Sequence, residues 1–214
     1  MTGTRPEPAV FLVDDDATVR AALRRGLAAE GFRVCLFESA DAFLAGHDPE
    51  APGCLVADVA MPGMSGLELQ SLLAARGSAR PIIFITGRGS IPMSVQAMRA
   101  GAVTFLSKPV RLEELAAAVR EALERDRRSR AEQAERRAVE SRLQALTSRE
   151  REVLALIVVG KLNKQIAAEL GAAEKTIKVH RGRVMAKLNV RTVAELVNLT
   201  ARVGRHPEFR PRAE

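Results

Sequence analysis

The sequence predicts an open, doubly wound α/β domain on a five-stranded parallel sheet, then a long helical linker, then an all-α helix-turn-helix domain. Three observations carry this. Short apolar runs alternate with helical segments over the first 120 residues, a Gly- and Pro-free charged stretch follows, and the last third is purely helical and strongly basic. At 214 residues, and about 100–200 residues per domain, two modest domains fit better than one. Their expected extents are 1–120 for the first domain, 121–146 for the linker and 147–214 for the second.

Val10–Val13, Arg33–Phe37, Cys54–Ala57, Ile82–Ile85 and Val103–Leu106 are four or five residues each, mostly β-branched or aromatic, and predict buried strands. Helices are expected between them. The first runs from Thr18 to Glu30 and stops at Gly31, the second is capped by Ser39, and the third follows Ser65 and ends near Gly77. The fourth follows Pro92 and ends at Gly101, and the fifth begins near Arg111. Strands and helices in strict alternation imply right-handed crossovers and a sheet covered on both faces. Such sheets carry their functional residues at the carboxyl ends of the strands.

From Arg111 to Leu146 nothing interrupts a helix, and pairs such as Glu121/Arg125, Glu124/Arg128 and Glu132/Arg136 support one. Its heptad positions are poorly apolar after Leu123, which argues against a strong coiled coil. Beyond it, Ser148 is expected to cap a helix through Val159, closed by Gly160. A short helix spans Asn163–Leu170 before Gly171, a third spans Glu174–Leu188 and a fourth Thr192–Val203. Two short helices joined by a tight Gly-containing turn form a helix-turn-helix. The tail from Gly204 is expected to fray.

Composition excludes several classes. The longest apolar run, Val153–Val159, is seven residues, and no hydrophobic N-terminal segment is present, so no membrane partner is expected and the chain reads as cytoplasmic. Two cysteines supply neither a disulfide scaffold nor a zinc site. With no Trp or Tyr, there is no aromatic platform for stacking single-stranded bases. The formal charge of +7 is unevenly placed. Residues 1–120 hold 12 Lys/Arg against 13 Asp/Glu, residues 121–146 hold 7 against 6, and residues 147–214 hold 14 against 7. The last third is thus fitted to meet a polyanion.

Asp14, Asp15 and Asp16 end the first expected strand and Asp58 the third. If those strands are neighbours, the carboxylates converge, and their mutual repulsion calls for a divalent cation. Mg²⁺, or Mn²⁺ with the same oxygen preference, takes one or two carboxylates plus waters and leaves room for phosphate oxygens. Thr86 ends the fourth strand and Ser107, Lys108 and Pro109 follow the fifth, adding a hydroxyl and an ammonium to the same rim. These are the parts needed to hold a phosphoryl group.

The acidic run, Asp58 with the following Met61-Pro62-Gly63-Met64-Ser65-Gly66, then Thr86, Phe105 and Lys108/Pro109 resemble the bacterial response-regulator receiver domain over residues 8–120. The resemblance implies a flavodoxin-like fold with Asp58 as phosphoacceptor, attacking a phosphohistidine on a partner sensor histidine kinase. It implies Mg²⁺ bound directly by Asp15, Asp58 and the backbone carbonyl of Ala60, with Asp14 acting through water. Thr86 and Lys108 would hold the phosphoryl oxygens, Phe105 would turn inward as Thr86 moves, and a cis bond would precede Pro109. Ala60 and Arg88 occupy positions that set phosphoryl lifetime, and Ala60 has no polar group to orient an attacking water. Asp16 is best placed to cap the first helix. Such a chain is no enzyme beyond its own phosphorylation and slow dephosphorylation. A second resemblance is open: Asp14-x-Asp16-x-Thr18 is similar to the nucleophile motif of haloacid-dehalogenase-like phosphatases. That family requires a further acidic pair after its Lys, and beyond Lys108 the only Asp is Asp126.

At 100° per residue, Ile177, Val184, Met185 and Leu188 share the core stripe of the Glu174–Leu188 helix, while Lys175, Lys178, Val179, Gly182 and Arg183 lie opposite. A cationic face with one Val suits a major groove. Leu146 to Leu154, Gly160, Asn163 to Ala167, Thr176 to His180 and Lys187-Leu188 resemble the LuxR-type helix-turn-helix over residues 144–203. This implies that Lys178, Val179 and Gly182 approach bases, and that Asn163, Lys164, Thr176 and Arg183 contact phosphates. Gly182 departs from relatives with a longer basic side chain there, and His180 is assigned to packing. The last helix, with Val193, Leu196, Val197 and Thr200 on one side, is similar to a dimerisation helix or packs on its own core. The two resemblances together imply a two-component regulator of the FixJ/NarL type. Its partners would be a histidine kinase, double-stranded promoter DNA, RNA polymerase and, on phosphorylation, a second copy of itself.

Overall fold

The structure, a computed structural model, describes residues 7–87 and 91–203. The chain divides into two compact units, residues 1–130 and 131–214. In the first, β1 (Ala9–Val13), α1 (Ala17–Ala29), β2 (Arg33–Phe37), α2 (Ala40–Gly46), β3 (Gly53–Asp58), α3 (Gly66–Ala75), β4 (Ile82–Thr86), α4 (Ile91–Arg99), β5 (Thr104–Ser107) and the start of α5 (Leu112–Gln144) alternate as expected. The strands form one parallel sheet in the order β2-β1-β3-β4-β5.

The period-two alternation of a strand divides its side chains between two cores. Phe11 and Val13 join Leu55, Ala57 and Phe84 under α2, α3 and α4, whereas Val10 and Leu12 join Val56, Ile83 and Ile85 under α1 and α5. Burial on both faces is why β1 is an unbroken apolar run and why β3 and β4 are apolar up to their terminal Asp58 and Thr86. β2 sits at an edge and is only half-buried. The close pairing of β1 with β3 leaves no room for a side chain at Gly53, whose φ is +144° and whose added Cβ would lie 1.9 Å from the Ala9 carbonyl oxygen. Sequence-derived caps recur: Asp16 accepts from Thr18 N–H at 2.7 Å, Ser39 from Ala42 N–H at 3.1 Å, and Ser65 forms a capping box with Glu68.

The first compact unit continues past residue 120. Ala122 belongs to the second core, and the buried Asp126 carboxylate accepts the Gly53 N–H at 2.9 Å. Arg130 grips Asp126 at 2.8 Å and donates to the carbonyls of Glu50 and Ala51, both at 2.9 Å. Together Asp126 and Arg130 fasten α5 to the loop before β3.

In the second unit α6 (Ser148–Val158), α7 (Asn163–Glu169), α8 (Glu174–Leu188) and α9 (Val193–Val203) enclose a core of Leu146, Val153, Leu154, Ile157, Ile166, Ile177, Val184, Leu188 and Leu196. The N-cap of α6 is Thr147, not Ser148. Thr147 has Glu150 three residues on and closes a reciprocal capping box, whereas Ser148 has Arg151 there and becomes the first helical residue. On α9, Leu196 and Thr200 are buried and Val193 and Leu199 pack on the core, so this face covers its own domain. The tail from Gly204 lies outside the described residues.

Glu150 is 3% exposed and accepts from Lys187 Nζ at 2.7 Å. That bond, with the Thr147 N–H, lowers its pKa to about 2. Because the folded pKa is depressed, the stabilisation is complete above the ordinary value near 4.5 and is lost as pH falls towards 2. Lys187→Met is expected to destabilise the second unit by about 1–3 kcal/mol at neutral pH, leaving a buried carboxylate without its cation. Thermal unfolding followed at a series of pH values should show the wild-type advantage shrinking across that acid window. An advantage unchanged down to about pH 2 would contradict the assignment.

Candidate functional site

The register of the sheet brings the rim together. Val13 lies opposite Ala57, Asp58 opposite Ile85 and Thr86 opposite Ser107, so Asp14, Asp58, Thr86 and Lys108 all emerge at one carboxyl edge. Oxygens of Asp14, Asp15 and Asp58 lie within 4.8 Å of one another. Asp14 is fully buried, Asp58 is 6% exposed and Asp15 faces solvent. Lys108 Nζ bridges Asp14 Oδ2 at 2.7 Å and Asp58 Oδ2 at 2.6 Å. The remaining oxygens are also held, Asp14 Oδ1 by Asp16 N–H at 2.9 Å and Asp58 Oδ1 by Ala60 N–H at 3.2 Å.

Burial raises the Asp14 pKa against the lowering effect of Lys108. Burial alone would lower Lys108, but its hydrogen bonds to Asp14 and Asp58 outweigh that and raise it, so the ammonium persists at neutral pH. Three hard oxygen donors in one half-open cluster fit a small divalent cation, with Asp15 the carboxylate most accessible to it.

Thr86 is buried at the end of β4. Phe105 is half-buried, packs on the first core and meets Phe84 at 6.3 Å between ring centroids. The Lys108–Pro109 peptide is cis. Ala60 is exposed, and Arg88 lies outside the described residues. The loop after Asp58 returns closely enough that Gly66 N–H meets the Val59 carbonyl at 3.1 Å, and a Cβ on Gly66 would approach the Asp58 carbonyl oxygen to 2.4 Å. One participant escaped the sequence reading: the Arg20 guanidinium donates to the Asp14 carbonyl from the first turn of α1. Its spacing from Asp14 was visible, but nothing in the motif marked it.

The phosphatase-like alternative finds no support in this geometry. The Asp16 carboxylate is taken by the N–H groups of Thr18 and Val19, which lower its pKa, and so it caps α1. Asp126 lies against Gly53, at the opposite end of β3 from Asp58.

In the second unit, α7 and α8 form the helix-turn-helix, with Gly171 at φ +60° in the turn. Lys164, Lys175, Thr176, Lys178, Val179, Gly182 and Arg183 are all exposed, Val179 at 48%. Ile177, Val184 and Leu188 are buried behind them and Met185 is half-buried. Asn163 opens α7 half-buried, its Oδ1 accepting from Arg181 at 3.2 Å. That brace was not read from the sequence, because Arg181 falls between the core stripe and the reading face. His180 is half-buried, and its Nδ1 is shielded without a hydrogen-bond partner among the described residues.

A doubly wound sheet with an Asp/Asp/Lys rim, joined in one chain to a helix-turn-helix with a cationic outer face, defines a response regulator with a DNA-binding output domain. Comparison with known proteins agrees. The family profile of the response regulator receiver domain matches residues 10–120, and that of the luxR family of bacterial regulatory proteins matches residues 144–200. Nodulation protein W of Bradyrhizobium diazoefficiens is 46% identical over 195 residues, 91% of this chain and 86% of that protein. The transcriptional regulatory protein FixJ of the same organism is 38% identical over 195 residues, 91% and 95% of the two chains. The solved structure of response regulator StyR superposes with a TM-score of 0.85 at 48% identity, covering 91% of this chain and 98% of that one. The chain belongs to the two-component response regulators of the FixJ/NarL type. Among the described residues no helix is long and apolar enough to cross a membrane.

Proposed function

We propose that this response regulator accepts a phosphoryl group on Asp58 from a partner histidine kinase and then binds promoter DNA as a dimer through its α7–α8 face. The observation that carries the first half is the convergence of Asp14, Asp15, Asp58 and Lys108 at one rim. The Asp58 carboxylate oxygen attacks phosphorus, the P–N bond of the phosphohistidine breaks, and the imidazole nitrogen keeps the electron pair and takes a proton. Asp58 becomes an acyl phosphate. Mg²⁺ or Mn²⁺ held by Asp15 and Asp58, with Asp14 and the Ala60 carbonyl alongside, would neutralise charge on the transferring group. Lys108 is placed to move from the carboxylates to a phosphoryl oxygen, and Thr86 to offer its hydroxyl there. Phe105, beside Phe84, follows Thr86 and reshapes the face of α4 and β5. The chain catalyses nothing beyond its own phosphorylation and slow dephosphorylation, and it acts in the cytoplasm, with RNA polymerase as a further partner. Phosphorylation acts by favouring the dimerising form over its alternative.

The test is selection of duplexes from a randomised DNA pool by the full chain, with and without acetyl phosphate and Mg²⁺. Enrichment of two related half-sites, tighter by about tenfold or more after phosphorylation, is the expected result. A chain that retains no duplex in either state refutes the DNA-binding part. Equal retention in both refutes the switch.

A further inference from the structure

Glycine is the poorest helix former after proline, and Gly182 stands inside α8, away from either end. Two features of a fold ordinarily demand glycine: a left-handed backbone, or a neighbour too close for a Cβ. Elsewhere in this chain both operate. Gly171 takes φ +60° in the turn before α8, and Cβ atoms on Gly53, Gly66 and Gly26 would run into other groups. Neither operates at Gly182. Its backbone is ordinary helix, and an added Cβ meets nothing within 4 Å. The residue is exposed, so the domain has no internal use for the missing side chain.

What surrounds it suggests an external one. One turn back lie Lys178 and Val179, one turn on lies exposed Ala186, and Arg183 is adjacent. Arg181, the neighbour on the other side, is drawn back onto α7 by Asn163 and leaves the opening clear. The result is a notch floored by helix backbone, walled on one side by the methyls of a 48%-exposed Val and flanked by cations. The notch carries no side-chain donor or acceptor at its centre. It therefore offers nothing to the polar edge of a base, but it fits the one apolar group in the major groove, the thymine C5-methyl.

We infer that Gly182 is a specificity-determining residue whose missing side chain lets a thymine methyl pack against the α8 backbone beside Val179. The inference rests on the DNA-binding function proposed above and deepens it by naming a base. It gives an unusual pair of signs. Gly182→Ala removes a poor helix former without crowding the fold, so the thermal transition of the second unit rises by about 2–5 °C. The same substitution weakens binding to the selected duplex.

The test uses the full chain, a duplex enriched from a randomised pool by the wild type, copies of that duplex with single thymines replaced by deoxyuridine, and an unselected duplex. For the wild type, at least one thymine-to-uracil replacement per half-site should lower affinity about fourfold, the worth of one buried methyl. Gly182→Ala should lose about threefold to tenfold on the selected duplex despite its higher melting temperature. Gly182→Leu should lose about tenfold or more, bind the unselected duplex within about twofold of wild type, and no longer distinguish thymine from uracil at that position. Unchanged affinity and uracil sensitivity in both variants overturns the inference, as does a loss by Gly182→Leu that is equal on both duplexes. A wild-type chain that enriches no sequence at all fails at the earlier step, DNA recognition itself.

Discussion

Asp58→Asn should take up no phosphoryl label from acetyl phosphate or phosphoramidate under conditions that label the wild type. The amide keeps the shape of the side chain but loses the anionic oxygen that the proposed attack on phosphorus requires. A neighbouring carboxylate is poorly placed to substitute. Asp14 is fully buried, with one oxygen on Asp16 N–H and the other on Lys108, and Asp15 is exposed at the outer side of the cluster. Labelling reduced by less than about a hundredfold, on a variant whose thermal unfolding matches wild type, would move the phosphoacceptor elsewhere. A pH series adds a second readout. Burial raises the Asp14 pKa from its ordinary value, so on acidification of the metal-free site it protonates before an exposed aspartate would and releases Lys108. In the metal-free wild type, carboxyl NMR is therefore expected to show the Lys108–Asp14 pair breaking at a pH above that at which an exposed aspartate titrates, while the raised Lys108 keeps its charge through neutrality.

The parts of this molecule that the sequence displays are those governed by local rules. Apolar runs such as Val10–Val13 and Ile82–Ile85 fold as strands because both faces of the sheet are covered, which makes the run itself the signal. Asp58 and Lys108 are 50 residues apart, yet both are legible because each follows a strand end, and parallel register does the rest. What escaped depends on pairs that no local rule connects. The Asp126 carboxylate turns to Gly53, 73 residues earlier, and together with Ala122 and Arg130 it ties α5 into the first unit beyond residue 120. Arg181 escaped for a related reason. Helical periodicity distinguishes core from solvent, but it does not show a flank residue reaching across to Asn163 on the preceding helix. At Thr147 and Ser148 two hydroxyls stand side by side, and the Glu three residues beyond the first decides between them.

Duplex binding by the full chain should weaken steeply with salt, and the steepness can report how many copies engage. Each phosphate neutralised by a cation releases counterions and contributes about 0.9 to the slope of log affinity against log salt. Residues 1–120 carry 12 Lys/Arg and 13 Asp/Glu and add no net attraction, so the slope should arise from the second unit, where Lys164 and Arg183 are exposed on the α7–α8 face. If one copy binds, Lys164→Ala or Arg183→Ala should each reduce the slope by about 0.9; if a dimer binds, the same substitution acts twice and the reduction approaches about 1.8. Lys178→Ala should behave differently, because its proposed contact with guanine acceptors would carry sequence information. Its loss is expected to cost about 1–3 kcal/mol on the selected duplex and much less on an unselected one. Phosphorylated protein giving the doubled value, and unphosphorylated protein the single one, would tie the Asp58 rim to dimeric DNA engagement. Slopes that ignore both Lys164 and Arg183 would place the phosphate contacts on another face of the second unit.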